Sequence, residues 1–153
     1  MAISSVLQNS FKAELLKGLH SFDTSGATPA GNAFKIALYT SSATIDTTTT
    51  AYGGPSNEVS GTGYTGGGNA LTNTGVGTTT VTSFTDFSDT SWTSASFTAR
   101  GCLIYNTTAI TGLTANRAVC SIDFGGDKTV SSGTFTIQFP TNDSSSAIIR
   151  LTS

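Results

Sequence analysis

In short stretches from Phe34 onward, apolar side chains recur at every second residue, and serine or threonine fills many of the places between them. That period of two is the spacing of a pleated strand with one face dry and one face wet. A helix-covered parallel sheet would instead show longer apolar runs alternating with helical patterns. Serine and threonine together make up about a third of the 153 residues, whereas 10% of residues are charged and His20 is the single histidine. Catalysis at neutral pH draws on titratable groups tuned toward the working pH, and this chain is poor in them. The composition describes a β-rich structural or binding domain.

The totals set further bounds. One domain, residues 1–153, is expected from the length. Nine Phe, four Tyr and one Trp give its core bulk despite a hydrophobic content of 37%. The formal charge is −2, and the seven basic residues, Lys12, Lys17, Lys35, Arg100, Arg117, Lys128 and Arg150, form no stripe. No nucleic-acid partner is expected, since phosphate recognition needs clustered cations. No run of 18 apolar residues suits a membrane span. The first residues lack the basic and apolar regions of a signal peptide, so synthesis in a cytoplasm with reduced cysteines is expected.

Residues 1–32 are read as an N-terminal helix and turn, and residues 33–153 as an antiparallel β-sandwich, jelly-roll-like in expectation. Leu7, Phe11, Leu15, Gly18 and Phe22 recur at steps of four and three, widened by Leu16 and Leu19, which predicts an amphipathic helix over Ser5 to Phe22. Turn formers from Asp23 to Pro29 end it. Phe34, Ile36 and Leu38 then share one face of a strand. Residues 41–68, with Thr47 to Thr50 and Gly66 to Gly68, read as a long loop, either a surface excursion or an arm ordered against another subunit.

Further strands are predicted over Asn69–Asn73, Thr78–Phe84, Ala95–Tyr105, Arg117–Phe124, Gly133–Phe139 and Ala147–Thr152. In the clearest hairpin, Arg100, Cys102 and Ile104 alternate with Gly101, Leu103 and Tyr105, and Ala118, Cys120, Ile122 and Phe124 share a face of the returning strand. Phe135, Ile137 and Phe139 point one way until Pro140 ends their strand.

Candidate chemistry is sparse. Gly61-Thr62-Gly63-Tyr64-Thr65-Gly66 spells a dinucleotide fingerprint, but no helix follows to face a pyrophosphate, so a turn is the better account. His20 is expected to cap carbonyls at the end of the helix. Asp86, Asp89, Asp123, Asp127 and Asp143 lack the ligand series of a calcium loop, and Asp123 to Asp127 reads as a turn after a strand. Cys102 and Cys120 are expected to be buried thiols facing each other across the hairpin, without the further ligands a metal needs. No catalytic, metal or cofactor-binding residue is assigned. Tyr39, Tyr52, Tyr64 and Trp92 form an expected surface cluster of neutral aromatics, suited to protein interfaces or to stacking on sugars. With Val6, Leu7, Phe11 and Leu15 of the N-terminal helix they make up the predicted partner contacts.

Four stretches carry a resemblance. Phe34-Lys35-Ile36-Ala37-Leu38-Tyr39-Thr40-Ser41-Ser42-Ala43-Thr44 and Asn57-Glu58-Val59-Ser60-Gly61-Thr62-Gly63-Tyr64 are joined by Phe97-Thr98-Ala99-Arg100-Gly101-Cys102-Leu103-Ile104-Tyr105-Asn106 and Asp123-Phe124-Gly125-Gly126-Asp127-Lys128-Thr129-Val130. In order along residues 34–151, these resemble a family of small virion proteins of tailed bacteriophages, some of them similar to capsid decoration (cement) proteins. The resemblance implies a sandwich or jelly-roll fold, no catalytic motif and no cofactor. It also implies a place on the outer capsid surface, with the major capsid protein and copies of the chain itself, as dimer or trimer, for partners. A tail or baseplate component is the alternative within structural proteins, and a carbohydrate-binding module of a receptor-binding spike the alternative outside them.

Overall fold

A computed structural model describes residues 2–27 and 30–153; Thr28 and Pro29, in the predicted turn, lie outside the described residues, as does Met1. Among the described residues eight strands and one short helix follow in the order β1 (Val6–Leu7), α1 (Asn9–Leu16), β2 (Phe34–Tyr39), β3 (Asn69–Leu71), β4 (Asn73–Thr78), β5 (Thr82–Phe87), β6 (Thr90–Asn106), β7 (Arg117–Ile137) and β8 (Ile149–Thr152). They build two antiparallel sheets, a five-stranded one in the order β1-β7-β6-β2-β3 and a three-stranded one in the order β4-β5-β8. Neither closes into a barrel.

The main core lies between the sheets. Phe34, Ile36 and Leu38 of β2, Cys102 and Ile104 of β6 and Cys120 of β7 meet Phe87 of β5, Ile149 of β8 and Phe11 of α1 there. Phe22 stacks on Phe34 at 4.7 Å between ring centroids, nearly parallel, and Phe87 meets Phe34 edge-on at 5.5 Å, so the aromatic residues fill the space as quadrupoles prefer.

A second, smaller core covers the opposite face of β2 and β6. Ala37, Tyr39, Leu103 and Tyr105 are buried there beneath Ala43 and Ile45 of the 41–68 loop. The loop is thus folded onto its own sheet. Val59 N–H donates to the Leu38 carbonyl at 2.8 Å, Tyr52 N–H to the Asn116 carbonyl at 2.9 Å, and Ala118 N–H to the Thr50 carbonyl at 3.0 Å. A central strand whose second face is also apolar needs such a cover, because bare Tyr39 and Leu103 would meet water.

The helix is shorter than its periodicity predicts. Val6 and Leu7 pair with Ser121 and Cys120 as a strand, so the chain turns helical only at Asn9. At the far end Gly18 takes φ +71°, and Leu19 N–H returns to the Glu14 carbonyl at 3.0 Å, a glycine stop that needs no Cβ. Leu16, expected to widen the apolar stripe, is 91% exposed, while Phe11 is fully buried.

The predicted strands shift as well. Asn69–Asn73 is divided at Thr72 between β3 and β4, which lie in different sheets, and the strand expected over Thr78–Phe84 is displaced to β5 at Thr82–Phe87. The two strands expected over 117–124 and 133–139 are one, β7. Its register with β6 jumps between Ala99/Lys128 and Gly101/Asp123 and again near Gly133, and Gly125 and Ser132 take φ +73° and +47°. Extra residues are absorbed as bulges without ending the ladder. Asp123, paired with Gly101, is the last ladder residue before the bulge, and its carboxylate accepts from Gly125 N–H at 2.9 Å inside a strand that continues beyond it. A further shift between Ile104 and Tyr105 places Ala118 in the small core, on the other face from Cys120.

Candidate interaction surfaces and the buried polar networks

The predicted contact residues divide by burial. Val6 and Leu7 are half-buried in β1. Phe11 is sealed in the main core, and Leu15 packs against that core from its margin. Of the aromatic cluster expected at the surface, Tyr39 is completely buried and Trp92 is 3% exposed. Tyr52 is half-buried and stacks on Tyr105 with centroids 4.6 Å apart; Tyr64 is half-buried and lies 6.0 Å from Trp92. The four are divided between the two cores: Tyr39 and Tyr52 lie in the smaller one, which residues 41–68 cover, while Tyr64 and Trp92 join the main one. The ring faces that would stack on a sugar are spent within the chain.

The phenols have a common acceptor. Tyr52 donates to Glu58 Oε2 at 2.7 Å, Tyr64 donates to Oε1 at 2.6 Å, and Gly67 N–H reaches Oε1 at 2.7 Å. Tyr64 oxygen in turn accepts Leu38 N–H at 2.9 Å, and Tyr105 donates to the Gly67 carbonyl at 2.7 Å. Burial, then hydrogen bonding to Glu58, pushes the Tyr52 hydroxyl up to about 12; burial first, then Glu58, raises Tyr64 further. These phenols stay protonated and act as fixed donors, tying the loop to β2 and β6.

A second network lies under the helix. Arg117 Nε donates to Glu14 Oε1 at 2.8 Å, and Nη2 reaches the same oxygen. His20 Nε2 lies 2.8 Å from Glu14 Oε2, and His20 Nδ1 lies 2.9 Å from Asn106 Nδ2. The roles are fixed by elimination. Asn106 Oδ1 accepts Thr108 N–H, so Asn106 Nδ2 is the donor to both His20 Nδ1 and Asn32 Oδ1. His20 therefore carries its proton on Nε2 and gives it to Glu14. This neutral, buried imidazole replaces the helix cap that its position predicts. The reason is Gly18, which reverses the chain and tucks residue 20 beneath the helix.

Burial chiefly depresses the His20 pKa, aided by the Arg117 charge and opposed by Glu14. Burial raises that of Glu14, but Arg117 and His20 together outweigh it and the net shift is downward. A histidine neutral in the fold and free to protonate once unfolded costs stability as pH falls below its ordinary value of about 6.5. We expect the urea midpoint to decline from that pH downward until the folded-state value is passed. For one proton the slope is at most about 1.4 kcal/mol per pH unit. His20→Gln should flatten this segment of the profile; an unchanged slope would remove His20 as its source. Glu14 adds its own loss lower down, present above the ordinary carboxylate value and lost as pH drops through the folded one. Asp86, raised by burial despite accepting from Phe87 and Ile148 N–H, works in the opposite sense. It lies buried in β5, not in a turn as its flanking sequence predicts.

Cys102 and Cys120 are free and buried, and burial pushes the Cys120 thiol up to about 12. Among the described residues no three His, Cys, Asp or Glu side chains gather as a metal group, and no helix is long and apolar enough to cross a membrane.

The surface features that the sequence leaves unannounced are grooves. One, of about 350 Å³, runs between the turn after α1 and the small sheet, lined by Leu15, Phe22, Phe84 and Ile149. The larger, of about 740 Å³, lies beside β7. Phe124, Phe135, Ile137 and Phe139 line one side, Ala147 and Ile148 the other, and Lys128 and Arg150 reach its rim. The partial burial of Phe135, Ile137 and Phe139 follows from their shared face, which the alternation shows; that an open strand edge lies beside them depends on the β1 pairing far away in sequence.

Compared with protein-family models, curated proteins and solved structures, the chain matches none.

Proposed function

We propose that this chain is a structural protein of a phage virion, without enzymatic activity, that decorates and stabilises the head shell from its outer surface. Its partners in this reading are the major capsid protein and further copies of itself. The observation that carries the reading is the use made of the chain's ionisable groups. Glu14, His20, Arg117 and Glu58 are directed inward, each bonded to the chain's own side chains or backbone, where they hold loop, helix and sheet together. What remains outside is a neutral, Ser- and Thr-rich surface with an apolar groove, a combination suited to packing many copies on one particle. The resemblance of residues 34–151 to small virion proteins supports the same reading and carries with it the jelly-roll-like topology.

Decoration works through number. A modest interface per copy, repeated over the shell, adds cohesion that no single contact supplies. The test is saturation binding of the purified protein to head shells assembled without it. Bound copies approaching the number of major shell subunits, with a raised shell melting temperature, are expected. A plateau at a few to a few dozen copies would indicate a tail or baseplate component, and absence of binding would remove the decoration reading.

A further inference from the structure

The long strand β7 has a partner on both sides for only a short stretch. β6 pairs with it from Arg117 to Ile137, whereas on its other edge Thr50 and Ala51 meet Arg117 and Ala118, β1 covers Cys120 and Ser121, and Asp123 N–H donates to Ser5 Oγ. Beyond that point, no other named strand pairs with this edge among the described residues. Such an edge is a template for another chain unless it is blocked. The block is partial: bulges between Asp123 and Lys128 and near Gly133 bend β7, and Lys128 lies on it, but no proline interrupts it, Pro140 coming after its end.

The groove runs along this open edge. It begins beside β1, where Leu7, Ser121, Ile122 and Ile148 form a smaller depression of about 290 Å³, and the larger groove shares Ile122 and Ile148 with it. β1 is therefore a short first segment of a strand position that continues unfilled. Opposite β7 stands β8, the last strand of the smaller sheet, which pairs only with β5. The floor is apolar, and its two cations, Lys128 and Arg150, form no ion pair among the described residues, where the charged pairs are Arg100–Asp123 and Arg117–Glu14; Arg150 acts only at longer range, on Asp143. No Asp or Glu lines the groove.

We infer that this groove takes an extended segment of a partner protein, added as a strand to β7, with apolar side chains on alternate residues and carboxylates between them. The backbone ladder supplies affinity, the apolar floor reads alternate side chains, and the rim cations select acidic sequences. Among the described residues this chain offers no such segment of its own: the strongly exposed apolar residues Leu16, Val76, Val81, Leu113 and Leu151 have no Asp or Glu as an immediate neighbour. The occupant is thus a different protein, and the inference holds whatever particle that protein belongs to.

The probe is a synthetic peptide of about ten residues, a typical strand length, with valine alternating with glutamate and threonine. Fluorescence anisotropy on the full-length protein should show saturable binding, roughly tenfold weaker when lysine replaces glutamate. Methylating alternate backbone nitrogens should abolish it. The double change Lys128→Glu and Arg150→Glu, on exposed positions, should invert the charge preference while leaving the melting temperature unchanged. Amide exchange should slow between Phe124 and Ile137 when the acidic peptide is bound. Equal binding of both charges, tolerance of backbone methylation, or no saturable binding would overturn the inference. So would self-association through the β7 edge in sedimentation, with the edge then filled by a second copy.

Discussion

Replacing Gly68 with alanine is expected to prevent stable folding. Gly68 sits just before β3 with φ +67°, and a Cβ there would lie 1.8 Å from the Ile36 carbonyl oxygen and 2.7 Å from its carbon. Both atoms belong to the backbone of β2, whose ladder to β3 and β6 leaves no room to retreat. Left-handed φ alone costs a residue with a Cβ about 1–2 kcal/mol. The overlap adds displacement of a central strand, so a total above about 4 kcal/mol is expected, a range reached only by a few mechanisms. Gly66→Ala, two residues earlier, is the control: nothing lies within 4 Å of its would-be Cβ. Circular dichroism and urea titration of the two variants should separate cleanly, with Gly66→Ala near the parent. A cooperative, parent-like transition for Gly68→Ala would refute the packing described here.

The second large effect is expected at Arg117. Arg117→Met keeps most of the aliphatic stem but removes the guanidinium from Glu14, which is 5% exposed. Breaking a buried pair by deleting one partner typically costs about 3–5 kcal/mol, because the remaining charge is stranded out of water. Domains have about 5–15 kcal/mol in all, so the variant should be barely stable at neutral pH. Stability should partly recover on acidification, as Glu14 is then free to take a proton. Removing the charge on both sides, with Glu14→Leu and Arg117→Met together, should restore much of the loss. A double variant no better than Arg117→Met would show that the cost lies in packing and not in the unpaired carboxylate.

Much of the sheet is legible in the sequence, and the reasons are local. Phe34, Ile36 and Leu38 do share the face that meets the main core, and Cys102 and Ile104 do lie on the same face of β6, as period-two alternation requires. What alternation cannot express is a bulge. Gly125-Gly126 and Gly133 look like stops, yet the partner strand β6 runs on past them and keeps the ladder intact. The helix is overextended for a similar reason. Leu7 satisfies a helical spacing, but its backbone is claimed by Cys120 across the whole chain.

The candidate surfaces were less legible. Burial of Tyr39 depends on cover from a Thr-rich loop whose few aliphatic residues, Ala43, Ile45, Ala51 and Val59, signal that it packs down, whereas Trp92 is enclosed in the main core by Tyr64, Phe97 and Phe135. Glu14, His20, Asn106 and Arg117 are scattered over residues 14–117, and only the glycine two places before the lone histidine hints that the chain reverses there. Phe135, Ile137 and Phe139 announce an apolar face, but that an unfilled strand position borders it is a property of topology.

The pairing of Val6 and Leu7 with β7, reinforced by Gln8 donating to Ser121 at 2.9 Å across a separation of 113 residues, bears on how the molecule is made. Residues 6 to 8 are secured only once residues 113 positions further along have been placed. Non-local closure of this kind slows folding, since the entropy of a long loop is lost before the contact rewards it. Until that contact closes, Val6, Leu7 and the facing flank of β7 stand exposed together, so association between molecules competes with folding at this step.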